Sequence, residues 1–335
     1  MNDEYFEKVK AAIQKSIEYE KLQKIANELN ETQLNDLIEI VNKILQEKTG
    51  ETIDKNHIKF YPQYIGNTGI GNTLDKKLSN IIFDYYYPKA TEQEYAHYTS
   101  VSALIGIICD SKKLRLTSPI KRLKDNEFKL FYSDHNLKGY EKEENNVSYD
   151  EQLMRDLFYI SFTEVKNELL DDTRFLWDNF GGSGKGVKLI FEIKTDHPDF
   201  RKVFYKEQKT KSESSLLNVL AKEIYNKYEK VFVYAGVSKM GSFYIDDDFN
   251  KEIETRFLLK RWSEEYEDKF NFEIKNDENG NPFIELDFNS EWGEFKLTKI
   301  QPGKECDKQQ IEQLVSESGL SIEVLNNARS IEDFY

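Results

Sequence analysis

Glu252-Ile253-Glu254-Thr255-Arg256-Phe257 is the stretch on which the reading of this chain turns. Apolar residues follow it, so Glu252–Leu259 is expected as a β-strand. Side chains on a strand alternate between faces, which puts Glu252, Glu254 and Arg256 together on one of them. Paired carboxylates there can stabilise a developing positive charge. Cleavage of an N-glycosidic bond requires this, because its transition state resembles an oxocarbenium ion. A solvated strand face, with one glutamate pairing Arg256, accounts for the same residues equally well.

Outward from that strand the pattern is of α+β class, with many strands and no simple βαβ rhythm. Upstream, Tyr95–Thr99, Leu114–Thr117, Phe158–Thr163, Val187–Ile193, Val203–Tyr205 and Val231–Val237 are expected as strands. Val101–Ser111, Asn167–Phe180 and Ser214–Lys230 are expected as helices. Downstream, Phe270–Lys275 and Phe283–Phe288 flank Asn279-Gly280, a hairpin signal. Phe295–Ile300 reads as a late strand, and Asp307 with Gln310 caps a last helix. At the other end, residues 3–29 and a second segment from Asn30 to Gly50 form a helical hairpin, the second opened by Asn30 and Gln33 as a capping box. The Gly- and Asn-rich stretch over 65–73 reads as a turn, and Leu74–Tyr87 as a helix ended by Pro88. Residues 1–90 are thus expected as a helical N-terminal region and 91–335 as the main domain.

Composition narrows the function classes. The 335 residues suffice for one large domain or two modest ones. A net charge of −14 argues against a broad electrostatic footprint on nucleic acid, which needs a basic face. Local basic clusters exist at Lys121/Arg122/Lys124 and Lys206/Lys209/Lys211, and solvated loops explain both. Cys109 and Cys306 are far apart, and His57, His97, His135 and His197 form no metal-type spacing with them, so neither a zinc site nor a disulfide framework is expected. No run approaches a membrane span and the N-terminus is unlike a signal peptide; a cytoplasmic protein is expected.

Several segments hold candidate site residues. Gly181-Gly182-Ser183-Gly184-Lys185-Gly186 resembles a phosphate loop, but glycine follows the lysine and the run lies between a helix and a strand. A helix stop and tight turn is the better account. His97-Tyr98-Thr99-Ser100 ends a strand, where a histidine can bond a ribose hydroxyl. In Tyr159-Ile160-Ser161-Phe162-Thr163, Ser161 and Thr163 share a face and either can orient an acid. In Phe175-Leu176-Trp177-Asp178-Asn179-Phe180, Leu176 suits the core, while Trp177 or Phe180 can stack on a flat ligand.

Taken in order, these segments resemble the bacterial DUF2971 family over about residues 94–330. The resemblance rests on His97-Tyr98-Thr99-Ser100, Ile160-Ser161-Phe162-Thr163, Leu176–Phe180 with Gly186–Phe191, Glu252–Arg256, and the turn Ile300-Gln301-Pro302-Gly303. That layout is similar to ADP-ribosyltransferase-like folds of toxins and phage-defence proteins, with a split mixed β-sheet core and flanking helices. Lys124-Asp125-Asn126-Glu127 departs from the Asn-Asp-Pro-x-Glu loop that the resemblance implies. The middle motif also lacks a clear nicotinamide-stacking tyrosine.

The resemblance implies an NAD-dependent mono-ADP-ribosyltransferase. Glu254, Glu252 and His97 would be catalytic. NAD, as co-substrate, would be held by His97, Tyr98, Thr99, Ser161, Thr163, Trp177 and Arg256, with no metal. It also implies a nucleic-acid (RNA or DNA) or protein acceptor and an antitoxin or chaperone partner. The alternative is a non-enzymatic regulatory or interaction protein built on an inactive version of the fold. A nuclease lacks the required acidic, lysine or histidine cluster.

Overall fold

A computed structural model describes residues 31–60, 64–66, 76–91, 93–120, 130–131, 134–135, 143–144, 147–148, 154, 156–165, 170–206, 215–233, 237–261 and 270–328. The helix expected over 3–29, the glycine-rich stretch over 67–73, the cluster Lys121/Arg122/Lys124 with its loop to Glu127, and Lys209/Lys211 lie outside them. The chain divides into two units, Met1–Tyr86 with Phe131–Lys142 and Gln208–Gly241, and Tyr87–Leu130 with Glu143–Glu207 and Ser242–Tyr335. The boundary expected at residue 90 falls beside Tyr86/Tyr87, but two later segments join the N-terminal unit.

In the larger unit the elements that frame the site are β1 (Gln93–Thr99), α1 (Val101–Ile105), β2 (Lys113–Thr117), β3 (Leu157–Glu164) and α2 (Leu170–Asn179). They continue with β4 (Val187–Lys194), β5 (Phe200–Lys202), β6 (Glu254–Lys260), β7 (Pro282–Asp287), β8 (Gly293–Pro302) and α3 (Lys308–Ser318). The strands belong to one eleven-stranded sheet in the order β7-β2-β3-β1-β4-β8, with β6 paired to β3 and β5 to β6. All seven of these pairings are antiparallel. The α+β class expected from the sequence is the class found.

The sheet forks at β3. β6 lies along one edge of β3, from Glu254 opposite Thr163 to Lys260 opposite Leu157. The other edge is shared. β1 meets it only at Tyr95↔Glu164 and Ala96↔Thr163, and β2 only at Thr117↔Tyr159. Beyond these points β1 runs on beside β4 to Thr99↔Val187, and β2 beside β7 to Lys113↔Asp287. Residues 160–162 therefore face an opening where a ladder partner would otherwise stand.

Alternation decides which side of the fork is dry. Phe158, Ile160 and Phe162 point into the main core with Phe191, Phe257 and Leu259. Tyr159, Ser161 and Thr163 take the opposite face, which they share with Glu254 and Arg256 through the β3–β6 register. Tyr95, Phe162 and Phe200 pack edge to face within that core, with ring centroids 5.1 to 6.4 Å apart.

Local chemistry explains several boundaries. Asp307 caps α3 by accepting hydrogen bonds from the Gln309 and Gln310 N–H groups. The helix expected over Val101–Ser111 opens on a Ser100 cap, then widens into a π-helical turn over Gly106–Asp110. The glycine run after α2 is the helix stop. Gly181 N–H donates to Leu176 O, and a backbone bond between residues distant in sequence joins Gly303 N–H to Gly186 O. A Cβ on Gly186 would lie 2.2 Å from Thr99 O, so this backbone is packed and offers no phosphate cradle.

The expected strand Phe270–Lys275 is not formed; strand pairing there starts at Lys275. The strand expected over Val231–Val237 covers Val231–Val233, and Val237 opens a short helix. In the smaller unit, the helix Glu31–Thr49 buries Leu37, Val41, Ile44 and Leu45 on one stripe. It packs against the helix Leu216–Tyr228, where Lys227 pairs with Asp36 at 3.3 Å. Three short strands accompany them, so that unit is not purely helical. Among the described residues no helix is long and apolar enough to cross a membrane.

Candidate active site

The fork opens a cleft of about 960 Å³, bounded by β1, β2, β3, the π-helical turn and the end of α2. Its size is that of a small-molecule or cofactor site. His97, Tyr98, Thr99, Ser161, Thr163, Glu252 and Glu254 all reach it, although they come from three separate parts of the chain.

One correction concerns the glutamate pair. Glu252 does not lie on the strand, which begins at Glu254. It closes a 3-10 helix over Asp247–Glu252, started by the Asp246 side chain accepting from Asp248 N–H. An aspartate placed before such a turn favours helical over extended backbone. The two acids are then joined by Ile253 in the left-handed region, at φ 45° and ψ 48°. A β-branched residue there costs about 1–2 kcal/mol and is a genuine outlier. Bonds on either side hold the corner. Thr163 Oγ1 donates to the Glu252 carbonyl at 3.0 Å, and Glu254 N–H donates to the Tyr205 hydroxyl at 2.7 Å. Both carboxylates thus reach one cleft by a strained turn, where a shared strand face was expected.

Glu254 itself is tightly held. Its Oε1 accepts from Arg256 Nε at 2.7 Å and its Oε2 from Arg256 Nη2 at 2.8 Å, a bidentate pair with both side chains at most 4% exposed. The Ser161 hydroxyl also donates to Oε1. Arg256 further donates to the Ser242 carbonyl, and its guanidinium carbon lies 4.6 Å from the Tyr159 ring centroid. Of the two hydroxyls expected to orient the acid, Ser161 contacts its carboxylate and Thr163 its neighbour's carbonyl. Tyr205 belongs to no motif found in the sequence. Burial, and then the Glu254 charge, push its phenol well above the usual range, so it stays protonated.

His97 occupies the other branch of the fork. Its Nδ1 lies 2.8 Å from the Ser161 carbonyl, filling the place of a missing ladder donor. A carbonyl only accepts, so Nδ1 bears the hydrogen and Nε2 presents a lone pair. Burial pushes the imidazole below its ordinary 6.5, against the opposing pull of the Ser161 carbonyl. The ring is therefore neutral at pH 7, with one acceptor nitrogen to offer a hydroxyl.

Tyr98 and Trp177 meet edge to face with centroids 5.0 Å apart, in a small buried cluster with Ala96 and Leu176. Trp177 is only 8% exposed and does not line the cleft; Leu176 and Phe180 do, with Phe180 at 38% exposure. The α2 residues expected in the core and at the cleft thus exchange places in part, because the helix turns its 176/180 stripe to the opening. Among the described residues, no group of three His, Cys, Asp or Glu is placed to hold a metal ion. No family model matches this chain, and neither a curated protein nor a solved structure matches it.

Proposed function

We propose that this chain is an NAD-dependent mono-ADP-ribosyltransferase with an ADP-ribosyltransferase-like fold, acting as a toxin or antiphage effector on a nucleic-acid or protein acceptor. One observation supports this reading above the others. The Ser161 hydroxyl on β3 grips the Glu254 carboxylate on β6 at the fork of the sheet, with His97 anchored on the facing branch. An acid oriented by a neighbouring-strand serine, opposite a neutral histidine, suits a ligand with ribose hydroxyls at both ends.

In this reading His97 Nε2 accepts a hydrogen bond from the adenosine ribose. Glu254, fixed by Arg256 and Ser161, accepts from the nicotinamide-ribose hydroxyl. Glu252, Glu254 and Arg256 sum formally to one negative charge, which favours a cationic ribosyl transition state. The bond between the ribose anomeric carbon and the nicotinamide nitrogen breaks, and its electron pair leaves with nicotinamide. An acceptor oxygen or nitrogen bonds to that carbon from the opposite side, and its proton passes to Glu252.

The bidentate Arg256–Glu254 pair favours a second reading, in which the acid is structural and the cleft is a non-enzymatic binding site for a partner. Label transfer from adenine-labelled NAD into cell lysate separates the two. The wild type is run beside Glu254→Gln, with nuclease and protease digestion afterwards. Transfer that falls about 10²–10³-fold in the variant supports the transferase, and the digestion that removes the label names the acceptor. Undiminished transfer in a folded Glu254→Gln protein would sink it.

A further inference from the structure

The cleft has a cationic rim as well as an acidic end. β2 presents Lys113, Arg115 and Thr117 to it, while Leu114 and Leu116 fill the core beneath. The two cations are not equivalent. Lys113 Nζ is 3.2 Å from Asp287. Arg115 stands opposite Glu285 in the β2–β7 register, yet Glu285 is taken by Lys275 at 2.8 Å. Among the described residues Arg115 makes no ion pair, and it is exposed to solvent. Its guanidinium carbon lies 4.0 Å from the Phe283 ring centroid. A guanidinium held over a ring keeps N–H groups that can bond a planar or tetrahedral anion. Asp110, Glu252, Glu254 and Glu285 are the acids that line the cleft.

Register relates this arginine to the proposed chemistry. Thr117 pairs with Tyr159, so Arg115 falls in line with Ser161 across the opening, on the sheet face that also bears Glu254. We infer that Arg115 binds a phosphate group of the ligand that fills this cleft, on the branch of the fork facing the Ser161–Glu254 corner. The ligand class rests on the transferase reading above: the phosphate belongs either to the pyrophosphate of the dinucleotide or to a phosphodiester of a nucleic-acid acceptor. The expected contact is a charge-assisted, bidentate hydrogen bond from a cation that makes no ion pair among the described residues.

Calorimetric binding of ADP-ribose, inorganic pyrophosphate and a short single-stranded oligonucleotide to the full chain tests this without any turnover. Arg115→Ala is expected to weaken binding about 10- to 100-fold, with Arg115→Lys recovering part of it. Lys113→Ala, its charge already met by Asp287, is expected to cost about 5-fold or less. Arg115→Gln, which can still stack on Phe283, replaces the alanine variant if that one melts early. Weakening of ADP-ribose and pyrophosphate upholds the inference and assigns the phosphate to the dinucleotide. Weakening of the oligonucleotide alone upholds it and assigns the phosphate to the acceptor. Equal binding of all three probes by wild type and Arg115 variants overturns it, as does their failure to bind the wild type. Arg115-dependent binding by a protein that consumes no NAD upholds the phosphate subsite and removes the transferase reading instead.

Discussion

Replacing Arg256 by methionine removes the cation but leaves the apolar stem, and the consequence is computable from its surroundings. Glu254 would keep the Ser161 hydroxyl but lose both guanidinium contacts at 2.7 and 2.8 Å, at a site where its side chain is 4% exposed. Breaking one side of a buried pair strands the other charge, at a cost of about 3–5 kcal/mol. For a chain of 335 residues, with an unfolding entropy of about 2.1 cal/mol/K per residue, that is a fall in melting temperature of about 4–7 °C. Glu254→Gln is milder, about 1–3 kcal/mol, because the amide oxygen can still accept and Arg256 keeps the Ser242 carbonyl and the Tyr159 ring. The double variant Glu254→Gln/Arg256→Met holds no stranded charge, so it is expected to be more stable than Arg256→Met alone. Urea unfolding of all four proteins gives the coupling energy directly. Additive losses, within about 0.5 kcal/mol, would refute the claim that the two side chains form one buried unit.

Three further outcomes follow from separate features. On the transferase reading, Ser161→Ala, which removes a hydroxyl that donates to Glu254, is expected to lower NAD consumption about 10- to 100-fold with little change in KM; a rise in KM with kcat intact would contradict an orienting role. Gly186→Ala is expected to destabilise by more than about 2 kcal/mol, since its Cβ would sit 2.2 Å from Thr99 O. Gly106→Ala, with nothing within 4 Å and an ordinary φ of −56°, should be neutral or slightly stabilising, and thermal melts compare the two. His97 is depressed below 6.5 in the folded state, so the unfolded chain takes up the proton first. Its stabilising share is complete above pH 6.5 and is lost as pH falls through the lower folded value. The slope of unfolding free energy against pH below 6.5 should flatten in His97→Gln; an unchanged slope would show that His97 is not the group responsible.

Local order along the chain was legible where one pattern dominated. Alternation in Tyr159-Ile160-Ser161-Phe162-Thr163 predicts that Ser161 and Thr163 share a face, and the strand has that alternation because its even residues enter the core. The Asp307 cap and the Gly181–Gly186 stop are readable because capping and left-handed turns depend on residues a few positions apart. Spacing also put Glu254 and Arg256 together, since strand periodicity acts over two residues.

What the sequence determined by itself was therefore the α+β class, most strand and helix positions, and which side chains of a strand travel together. Only the tertiary structure decided that the sheet forks at β3, because the partners at Ala96↔Thr163 and Thr117↔Tyr159 lie tens of residues apart. It likewise decided that Tyr205 holds the Glu254 backbone, that Glu285, opposite Arg115, pairs with Lys275 instead, and that Phe180 rather than Trp177 faces the cleft. The Glu252–Glu254 corner marks the limit most sharply. An isoleucine between two glutamates reads as extended by local preference, and it turns left-handed because the Thr163 and Tyr205 hydroxyls, brought there by other strands, offset the strain.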